Sequence, residues 1–194
     1  MKTVEIKKRG DYLTLPPVGA YVAEIKNARI VKAEKDQKYD SLEMMVDITE
    51  GEYAGRFTAL WNDQKERFGD SKYKGIFRLY CPNEESEEWV DRKFGNNLWC
   101  VQESNKPYEW DNDEKKLKGK KVGINLRKRI YNYNGQDRET VEIGQFETVE
   151  DVKNGKCKTL RDRDTRKNKG SEDSTDGSGF TDVSKTEPDV PWDT

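Results

Sequence analysis

The sequence predicts an all-β domain with one helix, followed by a polar tail that has no core of its own. Three observations carry that prediction. Apolar and polar residues alternate over 42–48 and again over 122–126, which is the period-two pattern of strands. Asn134-Gly135 stands between two strand-like runs, the strongest short signal for a hairpin. Beyond about Lys158 the apolar periodicity stops and Ser, Gly and Asp take over, a composition that cannot bury a core and predicts disorder.

Residues 1–16 form a polar N-terminal arm that closes at Pro16-Pro17. The domain proper is expected over 17–156 and the tail over 157–194. The first strand begins at Gly19. Tyr21, Ala23 and Ile25 share one face, and the apolar phase then shifts to Ala28 and Ile30. A phase shift inside one long strand predicts a β-bulge near Lys26-Asn27. In the second strand Leu42, Met44, Val46 and Ile48 point inward, and Ser41, Glu43 and Asp47 are expected outward. The third strand is expected to start with Phe57 to Trp61. It resumes as IFRLYC after a polar loop from Asn62 to Gly75. In that second piece Phe77, Leu79 and Cys81 share one face, and Arg78 and Tyr80 the other.

Pro82-Asn83 ends the third strand, and Glu84 to about Ser104 reads as a helix. Its acidic first turn suits the positive end of the helix dipole. Val90, Phe94, Leu98 and Val101 fall on one stripe, with Gly95 between them at a cost of about 1 kcal/mol relative to alanine. A fourth strand, KKVGINLRKRIYNYNG, turns at Asn134-Gly135 into a fifth, ETVEIGQFETV. A short helix from about Val149 to Asn154 closes the domain. The order β-β-β-α-β-β is that of the OB-fold, a five-stranded Greek-key barrel with a helix between its third and fourth strands. An α+β sandwich shares this order.

Charge is distributed unevenly. The formal net charge is only -2. Residues 156–170 nonetheless hold seven Lys or Arg against two acids (7 − 2 = +5), and residues 171–194 seven acids against one Lys (1 − 7 = -6). Such asymmetry marks nucleic-acid proteins with interaction tails. Hydrophobic residues make up 32% of the chain and charged residues 38%, so the core is expected to be modest. Three widely spaced cysteines argue against a disulfide framework and fit a reducing cytosol. No apolar run reaches the ~20 residues that span a bilayer, so a soluble intracellular protein is expected. The chain has no histidine, which removes the commonest general base and metal ligand. No cofactor or metal is expected.

Sequence-independent binding of single strands needs cations for the phosphates and aromatic rings for the bases. The fourth strand offers both. Lys121, Gly123, Asn125, Arg127, Arg129, Tyr131 and Tyr133 alternate with Val122, Ile124, Leu126 and Ile130 and so share its outer face. In the loop and strand SKYKGIFRLYC, Lys72, Lys74, Arg78 and Tyr80 are expected to line the same groove. A solvated strand face and a solvated loop are the plainer readings of both segments. Trp61, Trp89 and Trp99 are expected to pack in the core or on the helix, as large aromatics usually do.

The body resembles a group of short proteins encoded by phages and prophages of Gram-positive bacteria, many regarded as single-stranded-DNA-binding proteins. The matching segments are PPVGAYVAEIKNARIV, LEMMVDITEGEYAGRF, YEWDNDEKKLKGKKVG and FETVEDVKNGKCK, which cover most of residues 16–160 in order. The resemblance implies an OB-fold, work in phage DNA replication or recombination, and the cytoplasm of the bacterial host. The end of the chain is similar to bacterial single-stranded-DNA-binding proteins, which finish with acids followed by an apolar residue, Pro and Phe. Asp189, Val190, Pro191 and Trp192 match that pattern, with Trp in place of Phe and Asp193-Thr194 beyond it. The resemblance implies recruitment of replication or recombination proteins by this tip.

The expected partners are therefore single-stranded DNA and those proteins, with self-association left open. The competing readings are an OB-like adaptor or inhibitor of a host factor, and a magnesium-dependent nuclease. No convergent acid, base and nucleophile set supports the last of these. An acidic tail competes with DNA for a basic groove, so deleting residues 171–194 is expected to tighten DNA binding at low salt. Unchanged or weaker affinity of the shortened chain counts against that competition.

Overall fold

A computed structural model describes residues 13–35 and 37–166. Its elements run β1 (Gly19–Val31), β2 (Ser41–Ile48), α1 (Arg56–Phe68), β3 (Ile76–Tyr80) and α2 (Glu88–Ser104). A 3-10 turn (Glu114–Leu117), β4 (Lys121–Tyr133), β5 (Gln136–Glu147), α3 (Val149–Lys153) and β6 (Arg163–Asp164) follow. The structure is mostly β-sheet, with three helices where the sequence suggested one main helix. The strands form an open six-stranded sheet in the order β3-β2-β1-β4-β5, with β6 added beside β4. All pairs are antiparallel except β4 with β6.

Three features follow the sequence closely. The register of β1 against β2 slips between Ile25 and Asn27, where the apolar phase shifts. Gly119 N donates to Ile25 O at 2.7 Å and Ile25 N to Lys120 O at 2.9 Å, so the bulge is tied to the segment leading into β4. Leu42, Met44, Val46 and Ile48 are all buried, together with Val122, Ile124 and Leu126 from β4. At the β4–β5 turn, Asn134 and Gly135 have φ of 51° and 77°, the left-handed pair that a two-residue hairpin turn requires.

Two expectations are corrected. Phe57 to Trp61 belong to α1 and not to a strand, and the third strand is Ile76–Tyr80 alone. Phe57 and Leu60, three apart, are the two buried residues of α1. Gly55 at the helix start offers no side-chain cap. The cap arrives from β2 instead: Phe57 N donates to Asp47 Oδ1 and Thr58 N to Asp47 Oδ2, both at 3.1 Å. A carboxylate at that end also meets the positive pole of the helix dipole. Asp47 is therefore buried, contrary to its expected outward face, and so is Glu43. Glu43 Oε2 accepts from Arg29 Nη2 at 2.7 Å, and its Oε1 accepts from Arg78 Nε. Two guanidiniums on the neighbouring strands make burial of that carboxylate tolerable.

α2 starts at Glu88 and lays Val90, Leu98 and Val101 into the core. Asn97 is buried on the same helix and accepts from Phe146 N at 2.7 Å, fixing α2 to β5. β3 and β5 stand at the two ends of the sheet path, yet they touch. The Phe77 and Phe146 rings lie 4.5 Å apart between centroids, tilted by 41°. Among the described residues no helix is long and apolar enough to cross a membrane.

Candidate nucleic-acid interface

The outer face of β4 divides into two halves. In the first half the side chains are small or held. Asn125 is 1% exposed, and its Nδ2 donates to Glu147 Oε1 and to Lys158 O, both at 2.9 Å. Lys121 is exposed, but it lies six residues before Arg127, roughly 20 Å along an extended strand. Its backbone is pinned by Asn105, which accepts from Lys121 N at 2.9 Å.

In the second half Arg127, Arg129 and Tyr131 follow one another along β4, and Tyr133 stands apart at its end, as far from Arg127 as Lys121 is. Arg127 Nε donates to Glu142 Oε1 of β5 at 2.9 Å. Arg129 Nε lies 4.0 Å from Glu142 Oε2, and its guanidinium sits 5.6 Å from the centre of the Tyr131 ring. Tyr133 is 56% exposed near the hairpin tip, with the Arg138 guanidinium 5.4 Å from its ring centre.

Residues 157–166, expected to belong to the tail, lie along this face. A glycine makes that possible. A Cβ on Gly144 would stand 2.5 Å from Leu160 Cδ1 and 3.1 Å from Arg127 Cδ. Farther on, Arg163 pairs with Arg129 in register, and Thr165 N donates to Ile130 O at 2.8 Å. Arg163 Nη1 then reaches to 3.6 Å from Glu142 Oε1. Three guanidiniums thus surround one carboxylate. Burial lowers the proton affinity of Arg163, Glu142 opposes that, and the like charges of Arg127 and Arg129 add to it.

β3 brings Arg78 to the same place. Arg78, Lys93 of α2, Arg127, Arg129 and Arg163 line one groove with Glu142, which is five cations against one acid (5 − 1 = +4). Tyr80 lies one step away, its ring 6.1 Å from Trp89 and 5.5 Å from Tyr39. Lys72 and Lys74 are not part of this lining. They occupy the loop before β3, which Trp61 holds to α1 by donating from Nε1 to Ser71 O at 3.0 Å. The four tip residues Asp189, Val190, Pro191 and Trp192 lie outside the described residues.

Sequence reasoning missed Lys93, Glu142 and Arg163. Arg163 sits in the stretch read as tail, where Leu160 is the one large apolar side chain between 158 and 166 and was the available signal. Trp61 and Trp89 are partly buried as expected, but Trp99 is 55% exposed. The three cysteines are free. Burial, with the charges of Glu147 and Asp151, pushes the Cys100 thiol up to about 12. Burial likewise raises Cys81 and Cys157 to about 11, so all three are thiols at neutral pH. Compared with known proteins, the chain matches no family model and no curated protein sequence.

Proposed function

We propose that this protein binds single-stranded DNA without sequence preference, on an OB-type barrel, and serves phage DNA replication or recombination. The observation that carries the reading is the groove with five cations to one acid, drawn from β3, α2, β4 and β6, with Tyr131 beside it. A cation-rich lining suits a polyanion, and an adjoining ring accepts a base face. The strand order supports the barrel. Alternating directions along β3-β2-β1-β4-β5 leave the two end strands parallel, and joining them gives the five-stranded OB arrangement. The Phe77–Phe146 contact lies on that seam. The acidic end of the chain recruits replication or recombination proteins in this reading, and the protein itself performs no chemistry and needs no cofactor.

The test is a titration of labelled oligo-dT with the purified protein at several salt concentrations, beside a duplex of equal length. With a net excess of four cations, the single-strand slope is about -2.8, so raising salt from about 50 to about 200 mM weakens binding about 50-fold. Binding that favours the single strand and follows this dependence supports the reading. Absence of binding even at low salt removes it and favours a protein partner for the sheet and tail.

A further inference from the structure

Resting on that reading, we propose that the exposed face of α2 continues the groove as a base-stacking track, with Trp99 as its outer platform. Trp89, Arg92, Lys93, Asn96 and Trp99 recur at i, i+3, i+4, i+7 and i+10, the spacing of one helical face. Val90, Leu98 and Val101 occupy the opposite, buried face. The stripe runs from the half-buried Trp89, whose Nε1 donates to Glu87 Oε2 at 2.7 Å, through Arg92, which lies 3.8 Å from Glu88, and Lys93 to the exposed Trp99.

This stripe is one wall of a cleft of about 690 Å³. Gly144 to Glu147 of β5 form the floor, and Leu160 and Arg161 the other wall. Arg92, Lys93, Arg127 and Arg161 line it against Glu147 alone (4 − 1 = +3). The cleft shares Lys93, Arg127 and Gly144 with the strand groove, so the two are continuous. Trp89 and Trp99 are ten residues apart, roughly 15 Å along a helix at 1.5 Å per residue. That length takes about four stacked nucleotides at 3.4 Å each. Single exposed apolar side chains need no explanation, but an exposed indole at the rim of a cationic cleft suits a ligand with phosphates and flat bases.

The test compares wild type, Trp99→Ala and Trp99→Phe in the same oligo-dT titration, with Arg127→Ala/Arg129→Ala as the strand-groove reference. Loss of one stacked base weakens binding about 5- to 160-fold, so W99A is expected in that range while W99F retains most of the affinity. Thermal melting checks that the variants fold, which the 55% exposure of Trp99 favours. Ultraviolet cross-linking of wild type to oligo-dT, read by peptide mass spectrometry, is independent of any variant and is expected to mark the α2 peptide that carries Trp99. W99A binding as tightly as wild type, or cross-links confined to β4 and β5, overturns the α2 track and leaves the strand groove standing. A wild type that binds no oligonucleotide overturns both.

Discussion

Replacing Arg127 and Arg129 together by alanine is expected, on the proposed single-strand reading, to weaken oligo-dT binding on the order of 50-fold at about 50 mM salt and about tenfold at about 200 mM. The reasoning starts from counterion release. Each phosphate neutralised by a protein cation contributes about 0.7 to the salt slope on a single strand, so losing two flattens the slope by about 1.4. Both side chains lie beside Glu142, with Arg127 Nε at 2.9 Å and Arg129 Nε at 4.0 Å. Their removal leaves Glu142 facing Arg163 at 3.6 Å. A useful counterpart is Glu142→Gln, which deletes the one acid of the lining and raises the cation excess by one. That variant binds more tightly, about eightfold at about 50 mM salt by the same arithmetic. Fluorescence anisotropy over a salt series reads both changes. A double variant with an unchanged slope removes these arginines from the DNA path. A weaker Glu142→Gln means that the carboxylate orients the guanidiniums more than it opposes the ligand.

Phe146→Ala costs about 3–5 kcal/mol of folding stability. Phe146 is 3% exposed and its ring meets Phe77 at 4.5 Å between centroids. Such a pair adds roughly 0.5–1.5 kcal/mol beyond the area it buries. Its backbone is engaged as well. Its N–H donates to Asn97 Oδ1 at 2.7 Å, and its carbonyl accepts from Cys100 Sγ at 3.5 Å. One ring therefore lies where β3, β5 and α2 meet, and truncating it opens a cavity at the seam between the two end strands. A domain of this size loses about 2–4 °C of Tm per kcal/mol, so the variant melts about 6–20 °C lower. Circular dichroism against temperature checks this. A drop of under about 2 °C, less than 1 kcal/mol, means that the contact between the end strands carries little of the fold.

Local signals made much of this architecture legible. The bulge in β1 is written in the shift from Ile25 to Ala28, and the β4–β5 turn in Asn134-Gly135. The buried face of β2 is written in Leu42, Met44, Val46 and Ile48. What escaped depends on partners distant in sequence. α1 reads as a strand because its start is capped by Asp47, ten residues before Phe57, and no local capping residue announces it. Glu43 reads as a solvent-facing acid because its partners Arg29 and Arg78 lie on other strands.

The site was legible to a similar degree. Alternation after Leu126 placed Arg127, Arg129 and Tyr131 on one face, and the β2–β3 register brought Arg78 across from Glu43. Asn125 obeys the same alternation, yet its amide is consumed by Glu147 and the Lys158 carbonyl. Period-two reasoning assigns a face; it does not say which part of that face the chain itself will cover.

The docking of β6 has a consequence for how the molecule avoids itself. β1 covers one side of β4 from Lys121 to Leu126. Beyond that point the same side belongs to β6, which pairs at Arg129 and Ile130, while Thr165 donates twice to the Ile130 carbonyl. A chain cut before residue 157 would present this stretch of β4 as a bare sheet edge, a template on which another strand adds. The Arg163–Asp164 bridge therefore acts as a stopper. With two residues it ends a growing sheet.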